Sequence, residues 1–190
     1  MEKEALTQLF PIIVPRQYGA TGRWVGPLRP LGHPMLALTW VVLHSPGSMG
    51  YVTHDMVASW ERQGIDYHQR SMANLRSATG EYPGTGAKLA ADGSALYIVM
   101  QHGDGLGSSR LLMETEISDY FPNGYCVGLP ERSVGLVVSR TAPDSVLVEC
   151  KRLVADCAKV GTIPMLPEIF LSDELRFCSD SPNGAQQTAP

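Results

Sequence analysis

Eight residues near the middle of the chain, Gly103-Asp104-Gly105-Leu106-Gly107-Ser108-Ser109-Arg110, bring together three glycines, two hydroxyls, a carboxylate and a guanidinium. They follow an apolar run and precede residues of helical composition, so the order reads strand, glycine loop, helix. Glycines let backbone amides approach a ligand, a helix N-terminus offers unpaired N–H groups to an anion, and an arginine can hold the same anion in bidentate fashion. His102 and Asp104 stand at the carboxyl end of the expected strand, where α/β proteins tend to bind ligands, and are the candidates for moving protons. Arg132 is the second candidate cation. The ligand-binding set read from the sequence is therefore His102, Gly103, Asp104, Gly105, Gly107, Ser108, Arg110 and Arg132, with no catalytic residue singled out. Ser108 stands where a dinucleotide fingerprint needs its third glycine, and there is no P-loop lysine. A strand-to-helix connection with Asp-Gly as ordinary turn chemistry accounts for the same residues without a ligand.

Other chemistries leave fewer marks. The five histidines, His33, His44, His54, His68 and His102, form no HxH, HExxH or HxxxH pair, so no metal-ligand spacing is present locally. His54-Asp55 is half of an HD-type site without its other segments. No GxSxG elbow occurs, and Cys126, Cys150, Cys157 and Cys178 form no CxxC pair, so they read as reduced, packed residues. Cofactors are named by no motif, and the oligomeric state is left open.

Composition narrows the class. A chain of 190 residues, 44% hydrophobic and 18% charged, is long enough to bury a core without metal or disulfide staples. The formal net charge is −4, and no basic run exceeds Lys151-Arg152, which disfavours nucleic acid as a partner. The N-terminus carries acids and lacks the apolar stretch of a signal peptide, and the longest apolar run, 35–43, is far shorter than a membrane span. The expectation is a cytoplasmic protein with no membrane association, partnered by another protein or by an anionic small molecule.

The elements that must position these residues follow from periodicity and punctuation. Residues 2–10 have helical composition, ended by Pro11 and Pro15. Residues 16–34 are rich in glycine and proline and form a long irregular loop, a candidate lid or recognition loop carrying Arg16, Arg23, Trp24 and Arg29. The run 35–43 reads as a central strand buried on both faces. Thr53 and Asp66 cap two short helices, reaching Gly64 and about Gly80. Asn74 is costly in mid-helix and is expected to bond a neighbouring element. Residues 95–100 form the second strong strand, and 125–129 with 134–138 form a hairpin. Thr141 caps the clearest helix, whose apolar stripe is Val146, Cys150, Leu153, Val154 and Cys157. Residues 168–177 add a last strand, and 179–190 are expected to be disordered. The fold class is α+β or α/β: one domain over 1–178, with a mixed sheet of about five strands and helices packed on its faces.

Several of these pieces resemble the YtpQ-like family of uncharacterised bacterial proteins. The carrying residues are Trp60 with Gly64-Ile65, Ala73-Asn74-Leu75, Ser109-Arg110-Leu111-Leu112, Gly128-Leu129-Pro130-x-Arg132 with the apolar 134–138 run, and Leu171-Ser172-Asp173. The resemblance spans roughly residues 35–177; this chain's helices are shorter and less charged. It implies a bacterial cytosolic α/β domain, draws attention to Arg110 and Arg132, and carries over no reaction. The function expected is a non-enzymatic binding or interaction domain, recognising its partner through 16–34. The alternative is a small enzyme or sensor holding an anionic small molecule at the 103–110 loop.

Overall fold

The structure, a computed structural model, describes residues 2–22, 24–45 and 48–177. Arg23, Cys178, the expected disordered tail 179–190 and the centre of the turn at 46–47 lie outside the described residues.

The first helix, α1 (Glu2–Thr7), is shorter than its composition predicts, because Leu9 and Phe10 join the next strand, β1 (Leu9–Pro15). That strand runs antiparallel along β3 (Leu36–Ser45), with Leu9 opposite Val42 and Pro15 opposite Leu36. β1 lies at the edge of its sheet, where prolines 11 and 15 are tolerated. The other side of β3 takes β2 (Arg29–Pro30) and β4 (Ser48–Tyr51). The second sheet contains β5 (Gly86–Leu89), β6 (Ala95–Met100), β7 (Tyr125–Glu131), β8 (Val134–Ser139) and β9 (Ile169–Leu171), in the order β5-β6-β8-β7-β9.

The class is α+β, as expected. The strands divide between two sheets, however, and every pair is antiparallel, in place of one mixed sheet. The reason is local. β3 needs hydrogen-bonding neighbours on both sides, and it finds them in three nearby segments too short or too proline-rich to read as strands. β3 is buried on both faces, as its composition predicts. Leu36, Leu38, Trp40 and Val42 enter the largest core cluster, together with Ile98, Met100, Val127 and Val137 of the second sheet. Ala37 and Val41 face the other way, toward Phe10, Ile12, Val14 and Leu75.

Helices α2 (His54–Arg62) and α3 (Tyr67–Thr79) start where the capping residues place them. The Met56 N–H donates to the Thr53 hydroxyl at 3.3 Å and the Gln69 N–H to the Asp66 carboxylate at 2.8 Å. The short helix α4 (Glu114–Ser118) precedes β7. Helix α5 (Asp144–Val160) covers the second sheet, with Val146, Cys150 and Val154 on Leu136 and Val138, while Leu153 is left exposed. Thr141 does not cap it, because its hydroxyl pairs with Ser139 at 2.9 Å and the helix opens after Pro143. The expected last strand reaches only Leu171; Ser172–Leu175 turn into a 3-10 segment, with the Leu171 N–H donating to the Glu174 carboxylate.

Residues 16–34 are not a detachable lid. They contain a 3-10 turn, Arg16–Thr21, and strand β2, and Leu31 is buried in the core. The amides of Gly32 and His33 donate to the carbonyls of Arg176 and Glu174 at 2.8 and 2.7 Å, which binds the segment to the C-terminal turn.

Asn74 does what its mid-helix position predicts. Its side-chain amide donates to the carbonyls of Leu6 and Leu9, each at 2.9 Å, fastening the α1–β1 junction to α3. Asn74→Ala leaves both carbonyls without this donor, and we expect a loss of about 1–3 kcal/mol in urea unfolding with an unchanged m-value.

Candidate functional site

The glycine loop connects β6 to a 3-10 turn, Ser108–Leu112, in place of the helix expected there. Gly103 and Gly105 have φ of 74° and 78°, a region that L side chains avoid, so both are turn residues. Gly107 is different. Its backbone is right-handed, but a Cβ there would lie 1.9 Å from the Ser133 carbonyl oxygen and 2.4 Å from that of Met100. Across from it, a Cβ on Gly135 would meet the Gly107 carbonyl at 2.7 Å. These two glycines let the turn press onto the β7–β8 hairpin, so the close approach is to protein rather than to a ligand.

Three of the loop's amides are also engaged. Leu106 N–H donates to the Asp104 carboxylate at 2.9 Å, Ser108 N–H to the Arg132 carbonyl at 3.2 Å, and Arg110 N–H to the Leu106 carbonyl at 3.2 Å. The Ser108 hydroxyl donates to that same Arg132 carbonyl at 2.6 Å. A phosphate cradle needs these N–H groups free.

Arg110 corrects the sequence reading most sharply. The whole residue is 0% exposed. Its two terminal nitrogens donate to the two Asp104 oxygens at 3.0 and 2.6 Å, and Nε donates to the Thr79 hydroxyl at 3.1 Å. Thr79 in turn donates to the Leu75 carbonyl of its own helix at 2.7 Å. Arg110 is therefore a structural cation joining α3 to the loop, with no surface to offer a dissolved anion. Burial by itself would raise the Asp104 carboxyl, but hydrogen bonds from Arg110 and the Leu106 N–H, with the Arg110 and His102 charges, hold it below the usual carboxylate value. Burial, then the neighbouring Arg110 charge, lowers His102. His102 and Asp104 line an open groove with Gln8, Leu43 and His44.

Arg132 reaches the loop through its carbonyl, while its side chain goes elsewhere. The guanidinium lies at the hydroxyl of Tyr51, on β4. Tyr51 packs edge-on against Trp24 with ring centroids 4.6 Å apart, and Trp24 meets Tyr18 at 5.6 Å. The structure thus brings together His102, Gly103, Asp104, Gly105, Gly107, Ser108 and Arg110 as one folded turn, and separates the Arg132 side chain from it.

Sequence reasoning passed over a second concavity. A half-open cavity of about 190 Å³ lies among β3, α3, the 108–112 turn and the C-terminal turn. Leu38, Met72, Leu111, Leu112, Leu175 and Phe177 supply apolar lining, and His68, Glu114, Tyr125, Ser172 and Arg176 its polar atoms. Arg29 stands beside it, its guanidinium 5.1, 5.6 and 6.0 Å from the ring centroids of Trp40, Tyr67 and Phe177. Burial, then the Arg29 charge, lowers His68. No local motif could reveal this cavity, because its walls come from five separated segments.

Among the described residues no three His, Cys, Asp or Glu side chains are grouped as a metal ion would require, and no helix is long and apolar enough to cross a membrane. Cys126, Cys150 and Cys157 are free thiols; burial, with Glu149 nearby, pushes Cys150 up to about 11. The chain matches no protein-family model, no curated protein and no solved structure.

Two outcomes follow for the loop. Asp104→Ala strands the Arg110 charge and should cost roughly 3 kcal/mol, the low end for a broken buried pair because Asp104 keeps 31% of its side chain in water. The contribution of a carboxylate with a lowered folded-state pKa is complete above the unfolded value and disappears as pH falls through the folded one. The stability gap between wild type and variant should therefore hold from pH 7 to 5 and close below about pH 4 in pH-dependent urea unfolding. Gly107→Ala should destabilise by about 3 kcal/mol or more, since its clash is with backbone carbonyls that cannot rotate away.

Proposed function

We propose that the protein is a non-enzymatic binding domain that captures an apolar group in the cavity between α3 and the C-terminal turn. The observation that carries this reading is the cavity itself: about 190 Å³, apolar in most of its lining and open at one side. A cavity of roughly 150 Å³ with such walls accepts benzene, so this one suits a group between benzene and indole in size. Arg29 lies at the aromatic shelf that includes Phe177, and Phe177 also lines the cavity. This is how the 16–34 segment takes part in recognition. Burial of the Arg110 guanidinium against Asp104 removes the clamp from the rival reading, an enzyme or sensor holding an anion at the 103–110 loop. With this function we propose a cytoplasmic bacterial protein akin to the YtpQ-like family, a reading supported by the short motifs around Trp60, Arg110 and Arg132.

Indole is the probe that tests the cavity. At ten times its dissociation constant it should stabilise the native state by about 1.4 kcal/mol, or roughly 3–5 °C in melting temperature. Met72→Trp, which fills the cavity from α3, should remove that shift while the variant still melts cooperatively. An indole shift that survives Met72→Trp, or a flat response to indole, benzene and toluene alike, would reject the cavity as the binding site.

A further inference from the structure

Arg132 poses a problem that the folded chain leaves unsolved. The residue is half-buried, its guanidinium hydrogen-bonds the Tyr51 hydroxyl, its Nε–H is out of water with no acceptor, and it forms no ion pair among the described residues. A buried donor left unpaired is costly, and a half-buried guanidinium without a counter-ion keeps its charge available to an anion. The carboxylate of the preceding residue, Glu131, forms no ion pair with Arg132. It is occupied by the Ser133 N–H at 2.8 Å, by the Ser133 hydroxyl and by the Ile163 N–H at 3.4 Å. The other neighbour is the Tyr51 hydroxyl, which burial raises further above its usual value even with Arg132 pulling the other way. Tyr51 is therefore neutral at pH 7 and supplies no negative charge.

The surroundings add a second feature. Tyr51, Trp24 and Tyr18 form a continuous aromatic wall, each ring partly exposed. Trp24 Nε1–H is buried with no hydrogen-bond acceptor. Two donors without acceptors, Arg132 Nε and Trp24 Nε1, thus flank one tyrosine.

From these contacts we infer that Arg132, Tyr51 and Trp24 form a binding site for a small molecule that carries an oxyanion, carboxylate or phosphate, on a flat ring. The oxyanion takes the Arg132 charge as its counter-ion, and the ring lies along the Trp24–Tyr51 wall. Arginine suits the task because its planar fork matches both kinds of oxyanion. The site is separate from the apolar cavity and does not depend on the function proposed for it.

The test uses the full chain and four probes: benzoate, phenyl phosphate, inorganic phosphate and benzyl alcohol. Trp40 and Trp60 are fully buried, so a change of tryptophan fluorescence on binding reports Trp24 and should vanish in Trp24→Phe. Benzoate or phenyl phosphate should raise the melting temperature and alter the fluorescence, and the stronger of the two identifies the oxyanion. Inorganic phosphate should bind more weakly for want of the ring, and benzyl alcohol, a ring of the size that fits the apolar cavity, should leave the Trp24 fluorescence unchanged. Arg132→Met should weaken the better probe at least about tenfold, the value of one charge-assisted hydrogen bond. It should also melt at or above the wild-type temperature, because an unpaired buried donor has been removed. Three results would overturn the assignment: benzyl alcohol matching the anions in the Trp24 fluorescence, a fluorescence response unaffected by Arg132→Met, or an Arg132→Met variant that melts several degrees lower without ligand, which would make Arg132 structural.

Discussion

A guanidinium with no surface in water has to be neutralised where it lies, and around Arg110 that requirement organises the middle of the molecule. Its partners come from two places, Asp104 in the preceding turn and Thr79 at the end of α3. Satisfying both fixes the path from β6 through the glycine turn and sets α3 against it. Thr79 is held in turn by the Leu75 carbonyl, and Leu75 belongs to the cluster behind β1 and β3. A single buried charge thereby couples the turn after the second sheet's β6 to the helix packed on the first sheet.

Once Arg110 is placed inside, the glycines around it follow. The turn must sit close to the β7–β8 hairpin, and only residues without a Cβ fit at 107 and 135. The amide groups that a ligand would need are then used to hold the turn: Leu106 by Asp104, Ser108 by the Arg132 carbonyl. A loop with the composition of an anion cradle has become a joint between two sheets. Glycine permits close approach, and what approaches is decided by the remainder of the chain.

Two places in the fold are left with unmet requirements, and they are where the two proposals lie. The apolar cavity is bounded by side chains from five segments and has room for a ring. At Arg132 the feature is electrostatic: a cation with no ion pair among the described residues, beside two N–H groups, its own Nε and Trp24 Nε1, that find no acceptor. The two differ in physical character, one an apolar concavity and the other a charge, and different residues define them, Met72 in one and Arg132 in the other.

Much of this was legible along the chain. The caps at Thr53 and Asp66, the buried strand at 35–43, the α5 stripe at Val146, Cys150 and Val154, and the outward bonding of Asn74 are set by local preference and periodicity, so the α+β class was readable. The sheet arrangement was not, because the segments that border β3 carry prolines or span only a few residues, and they become strands only by pairing with it. Nor was the role of Arg110. Sequence placed a carboxylate six residues before an arginine, but whether that pair faces water or the core depends on Thr79 and on the hairpin that closes over the turn. Tertiary structure alone decided which arginine is enclosed with its counter-ion and which is not, since burial is a property of the assembled fold.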